Sequence, residues 1–212
     1  MADIPKPDIQ DGIQYWETQP ASYDGVLGGF GNGVSFFLSF FYGYLIPFDK
    51  SLPRIESLGS RQFLLNLYPE LSTVPSAFKP LKEPEHPKRV RALDVGAGVG
   101  RVTSDTLLPL VHDVVLLEPV GSFVQEALRR CQASASNESL STGDRSYWPG
   151  IADQSKSVTF LQGTLQDFNP LLPHRAEFLD RLGYQPPRPQ DDINLGFDVI
   201  WCQWCLGHLS DE

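Results

Sequence analysis

The run Leu93-Asp94-Val95-Gly96-Ala97-Gly98-Val99-Gly100-Arg101 constrains the fold of this chain more than any other stretch. A short apolar segment, Val90 to Val95, ends in glycines at every second position, and a helix-compatible segment, Arg101 to Leu110, follows. Glycines at a strand-to-helix turn let a ligand approach the main chain closely. The start of such a helix also offers N–H groups to an anionic group. The unit then repeats. Asp113 to Leu117 reads as a second buried strand, Phe123 to Gln132 as a second helix, Ser157 to Gln162 as a third strand and Phe197 to Trp201 as a fourth. Strands alternating with helices predict an α/β fold with a parallel sheet joined by right-handed crossovers. Ligands bind such sheets beyond the carboxyl ends of the strands, and each motif described below falls at such an end.

The chain has 212 residues, 41% hydrophobic and 20% charged, enough for one ordinary domain or a little more. Residues 1–89 read as a helical lead-in and residues 90–212 as the α/β domain. In the lead-in, Gln14 to Gln19 starts a helix, and Asp24-Gly25 with Gly28-Gly29-Phe30-Gly31 marks a glycine-rich turn. Ser57 to Leu71 carries Leu58, Phe63, Leu64, Leu67 and Leu71 roughly at helical spacing. Pro75, Pro80, Pro84 and Pro87 then make a stiff linker. Two inserts interrupt the α/β pattern. Ala133 to Lys156, rich in Ser, Asn, Asp and Gly, reads as a solvated loop. Asn169 to Gly196 is proline-rich, with a short helix expected over His174 to Leu182.

Several classes are disfavoured. A net charge of −9 is unlike the basic stripe of a nucleic-acid binder and would attract basic substrates. The apolar run Val34 to Phe48 is shorter than the roughly 20 residues of a membrane span, so no membrane partner is expected. Met1 to Gln10 has no signal-peptide pattern. Cys131, Cys202 and Cys205 make neither a disulfide framework nor a zinc site, which predicts no metal and a reducing setting.

The glycine spacing separates two ligand classes. A dinucleotide fingerprint, G-x-G-x-x-G, would put its third glycine where Arg101 stands. The observed G-x-G-x-G, with Asp94 two residues before it, is similar to the S-adenosylmethionine sites of Rossmann-like methyltransferases. Glu118 ends the second strand, where a carboxylate can accept from both ribose hydroxyls. Arg101 can hold the methionine carboxylate through a bidentate fork. Leu165-Gln166-Asp167-Phe168 follows the third strand, beside the expected adenine. After the fourth strand, Gln203 can bond the cofactor and Trp204 can form an apolar or cation-binding wall. His208 stands four residues beyond Trp204, on the same face if the chain turns helical there.

Tyr15-Trp16, Asp24-Gly25-Val26-Leu27-Gly28-Gly29-Phe30-Gly31, Ser60-Arg61-Gln62-Phe63-Leu64, Leu93 to Arg101 and Asp198 to Asp211 together resemble the alpha-N-terminal protein methyltransferase family. The resemblance implies a Rossmann-like class I methyltransferase fold and S-adenosylmethionine as cofactor. It implies transfer of methyl to the α-amino group of proteins with an exposed Xaa-Pro-Lys N-terminus. It assigns cofactor contacts to Gly96, Arg101, Glu118, Pro119, Val120, Leu165, Gln166 and Gln203, a peptide channel to Trp16 and Trp204, and assistance in the chemistry to His208. The family usually carries Asp where this chain has Glu118. A monomer in the cytoplasm, with the nucleus as a second location, is the matching expectation.

Two departures bear on activity. The chain stops after about four strands, whereas such a sheet usually has seven, so a chain truncated at its C-terminus is expected. Gly33 to Pro53 interrupts the lead-in as an apolar insert, either genuine or an error of the gene model. Three functions stay open: an N-terminal methyltransferase, a non-catalytic remnant that binds S-adenosylmethionine or peptide, and a small-molecule methyltransferase of the same fold.

Overall fold

A computed structural model describes residues 8–28, 51–72, 74, 88–136, 147–169, 176–187 and 195–205. The apolar run Val34 to Phe48, the four linker prolines and His208 lie outside these residues.

Among the described residues the lead-in supplies three α-helices. Helix α1, Ile9–Glu17, begins ahead of the expected Gln14 because Asp8 caps it, accepting from the N–H of Gln10 at 2.7 Å. Helix α2, Tyr23–Val26, is a single turn capped by Ser22, whose hydroxyl accepts from the N–H of Gly25. Helix α3 runs over Ser51–Leu67, and a 3-10 turn at Pro69–Leu71 closes the segment expected to be helical from Ser57.

The α/β domain holds β1 (Arg91–Val95), β2 (Asp113–Glu118), α4 (Gly121–Ala135), β3 (Ser157–Gln162), β4 (Glu177–Gly183) and β5 (Val199–Cys202). The strands lie in the order β4-β3-β2-β1-β5. Strands β1, β2, β3 and β5 are mutually parallel. In chain order these four read third, second, first, fourth across the sheet. That is the doubly wound arrangement, whose strand order reverses between β1 and β5.

Both sheet faces are covered, which is why β1 and β2 are buried along their whole length, their charged residues Arg91, Asp94, Asp113 and Glu118 included. Ala92, Val114, Leu116, Val158 and Phe160 pack on one face with Leu107, Val124, Ala127 and Trp148. Leu93, Val95, Val115, Leu117 and Leu161 pack on the other with Phe168.

Three expectations need correction. Among the described residues the sheet has five strands where about four were expected, because Glu177–Gly183 forms β4, antiparallel to β3, in place of a short helix. The free edge of β3 offers backbone partners there, and Arg181 reaches the Ser157 hydroxyl at 2.9 Å, so tertiary pairing overrides local helix preference. The helix expected over Arg101 to Leu110 contains a π-helical turn at Thr103–Leu107. Nor is Ala133 to Lys156 solvated throughout: α4 extends to Ala135, and Trp148 and Ile151 are both 1% exposed. The polar composition of that segment masks two apolar anchors.

Candidate active site

The glycine loop takes its shape from neighbours on three sides. Gly96, Gly98 and Gly100 all have positive φ, at 63°, 58° and 78°. A Cβ on Gly96 would lie 2.7 Å from the Cβ of Cys205, after β5. A Cβ on Gly100 would lie 2.4 Å from the ring of Trp148. The G-x-G-x-G spacing is therefore set by backbone conformation and packing together. The loop N–H groups are turned toward β2. Those of Gly96 and Ala97 donate to the Leu117 carbonyl, at 2.9 and 3.2 Å.

Glu118 ties the loop to the end of β2. Its Oε2 accepts from the N–H of Gly98 at 2.7 Å, and its Oε1 from the N–H of Val120 at 2.9 Å. Each oxygen keeps a lone pair for a further donor. Burial pushes Glu118 up to about 7; the two N–H groups pull it back, and nearby Asp94 adds to the rise. Asp94 is likewise raised to about 7 by burial, against the 2.6 Å hydrogen bond it accepts from the Thr103 hydroxyl and the charge of Arg101.

A cavity of about 290 Å³ opens at the carboxyl ends of the parallel strands, where the strand order reverses. Gly96, Arg101, Glu118, Pro119, Val120, Leu165, Gln166 and Gln203 all line it, as do Trp16 and Trp204. Chain segments from the lead-in to the turn after β5 thus converge on one space. Trp16 stands edge-on to Phe123, ring centres 6.3 Å apart. Trp204 is 61% exposed and has a φ of 63°, a left-handed conformation that is strained for tryptophan. The Thr164 hydroxyl donates to Asp167 Oδ2 at 2.8 Å and so closes the turn that presents Leu165 and Gln166.

Glu56, on α3, was not singled out in the sequence. Its Oε2 lies 2.6 Å from Arg101 Nη1, and its Oε1 accepts from Gln203 Nε2. It is 147 positions from Gln203 in sequence, so no local spacing could have announced it. Phe123, Ile9 and Ile13 also line the cavity and were not foreseen, their apolar character being indistinguishable from core. Among the described residues no group of three or more His, Cys, Asp or Glu could hold a metal.

These contacts fit a nucleoside that carries an amino-acid end. A buried acceptor closes one strand, a cation and an amide that share the Glu56 carboxylate line the cavity together, and apolar groups line much of the rest. A doubly wound sheet with such a cavity at its switch point defines an α/β nucleoside-binding protein of the Rossmann-like kind. The family model described as AdoMet dependent proline di-methyltransferase matches residues 6–212, and the chain belongs to that family. The chain is 29% identical over 203 residues to alpha N-terminal protein methyltransferase 1 of Arabidopsis thaliana, covering 96% of this chain and 50% of that protein. It is 27% identical over 208 residues to the protein of the same name in Schizosaccharomyces pombe, covering 98% and 61%. It is 28% identical over 199 residues to N-terminal Xaa-Pro-Lys N-methyltransferase 1 of Danio rerio, covering 93% and 56%. The chain spans about half the length of the curated relatives it matches.

Proposed function

We propose that this chain binds S-adenosylmethionine in the switch-point cavity and serves methyl transfer to the α-amino group of proteins with an Xaa-Pro-Lys N-terminus. One observation carries the reading: Glu118, buried at the end of β2, holds the glycine loop while Arg101 and Gln203 line the same cavity. Family membership and the names of the similar proteins support it.

When bound, the donor would supply a sulfonium-borne methyl to an uncharged amine, the N–C bond forming as the S–C bond breaks and the neutral thioether leaving with the bonding pair. Each remaining task falls to the chain. Glu118 accepts the ribose hydroxyls with the lone pairs left after Gly98 and Val120. Arg101 holds the methionine carboxylate. Leu165 and Gln166 bound the adenine side. Trp16 and Trp204 frame the opening, and aromatic faces attract cations such as a lysine or a sulfonium. The incoming α-amine, with a pKa of about 7.7–8.0, must lose a proton, and a histidine with a pKa near 6.5 is a suitable acceptor. That role is proposed for His208. Proline at substrate position two fixes φ and lowers the ordering penalty of the bound peptide. A chain of net charge −9 suits the lysine that follows.

The test is calorimetry with S-adenosylmethionine, then mass spectrometry of a Ser-Pro-Lys peptide incubated with protein and donor. The expected result is donor binding and methyl added at the peptide α-amine. Donor binding without transfer identifies a non-catalytic binder. Turnover of a small acceptor but not of the peptide identifies a small-molecule enzyme.

A further inference from the structure

We infer that Glu56 is a positioning residue that sets Arg101 and Gln203 as a receptor for the amino-acid end of the donor; this rests on the donor-site reading above. Three observations carry it. First, Glu56 contacts both groups at once: Oε2 stands 2.6 Å from Arg101 Nη1, and Oε1 accepts from Gln203 Nε2. Second, Arg101 and Gln203 both line the cavity and Glu56 does not, so Glu56 works from behind them. Third, the ion pair is shielded, with side-chain exposures of 7% for Arg101 and 13% for Glu56, and an ion pair is stronger out of water.

The chemistry of the partners fixes their orientation. Gln203 Oε1 accepts from the indole N–H of Trp201 at 2.8 Å. An indole N–H can only donate and a carboxylate can only accept, so the Gln203 amide is held one way round. One lone pair on Oε1 and one N–H on Nε2 are left over for a ligand. The guanidinium of Arg101 likewise has N–H groups beyond the one facing Glu56. A carboxylate on Arg101 and an ammonium on Gln203 Oε1 match a zwitterionic amino-acid end. Glu56 is not among the residues that line the cavity, so a ligand there need not displace it.

The experiment compares two nucleosides by calorimetry on the full chain: S-adenosylmethionine, and 5′-methylthioadenosine, which lacks the amino-acid end. Wild type, Glu56→Gln and Glu56→Ala are each checked for a cooperative melt. Glu56→Gln keeps the shape and removes the charge, so it carries the test if Glu56→Ala does not fold. The expected result is a loss of S-adenosylmethionine affinity on the order of tenfold or more, with 5′-methylthioadenosine held within about twofold of wild type. Equal losses for both nucleosides would reduce Glu56 to a structural prop, and tighter S-adenosylmethionine binding would make it a competitor; either overturns the proposal alone. A folded wild type that binds neither nucleoside overturns the donor site itself and the proposal with it.

Discussion

Glu118 is buried where it must act as an acceptor, and its proton therefore matters. Burial raises it from an ordinary 4.5 to about 7, and Asp94 rises from 3.8 to about 7 for the same reason. Between their unfolded and folded values the native state holds protons that the unfolded chain has released. The stability these two groups contribute is full below about pH 4 and is lost as pH climbs through about 7. Ribose hydroxyls donate to an ionised carboxylate, so the donor favours deprotonated Glu118. Donor affinity should rise from about pH 6 to about pH 8, by at most tenfold per unit, with proton release seen as a buffer-dependent heat in calorimetry. Glu118→Gln should weaken binding by about tenfold and flatten this pH dependence. A slope unchanged in that variant would assign the titration to another group.

The glycine loop was legible because its signal is local: a strand, glycines at alternate positions and a helix all fall within a few residues of each other. The loop also gives a sharp prediction. Gly100→Ala adds a methyl 2.4 Å from the Trp148 ring at a φ of 78°. Overpacking and left-handed strain together should cost about 2–4 kcal/mol in urea unfolding. A loss under about 0.5 kcal/mol would mean that Trp148 yields easily. Strand β4 was not legible. The sequence of Glu177–Gly183 carries no clean alternation, and a register shift at Phe160/Leu161 accommodates it against β3. What made it a strand is the edge it covers, which lies some twenty residues earlier in the chain. Glu56 is the extreme case of the same problem, since its two partners are far away in sequence and only the folded sheet brings them to it. Within the lead-in, Tyr15-Trp16 could be read as a motif, yet its place against Phe123 depends on how α1 docks.

Taken whole, the molecule builds its cavity from α1, the glycine loop and the ends of β2, β3 and β5. No single segment suffices, so ligand binding should be felt across the described domain. S-adenosylmethionine at about 100 times its Kd should stabilise the chain by about 2.7 kcal/mol, read as a rise in Tm that tracks donor concentration. Hydrogen exchange should slow together in α1 and in the loop at Gly96 to Arg101. Slowing in the loop alone would detach the lead-in from the site. Tyr23 pins α2 to the domain through a 3.2 Å hydrogen bond with the Ser104 hydroxyl and the Arg130 guanidinium over its ring. Tyr23→Phe should therefore cost about 1 kcal/mol in the same unfolding experiment, with the fold intact. The most direct measurement is a calorimetric titration of S-adenosylmethionine into wild type and Arg101→Ala, both shown to melt cooperatively. One saturable site in wild type, weakened about tenfold or more in the variant, is the predicted result. A folded wild type that takes up no donor, or a variant that binds it equally well, would contradict the account.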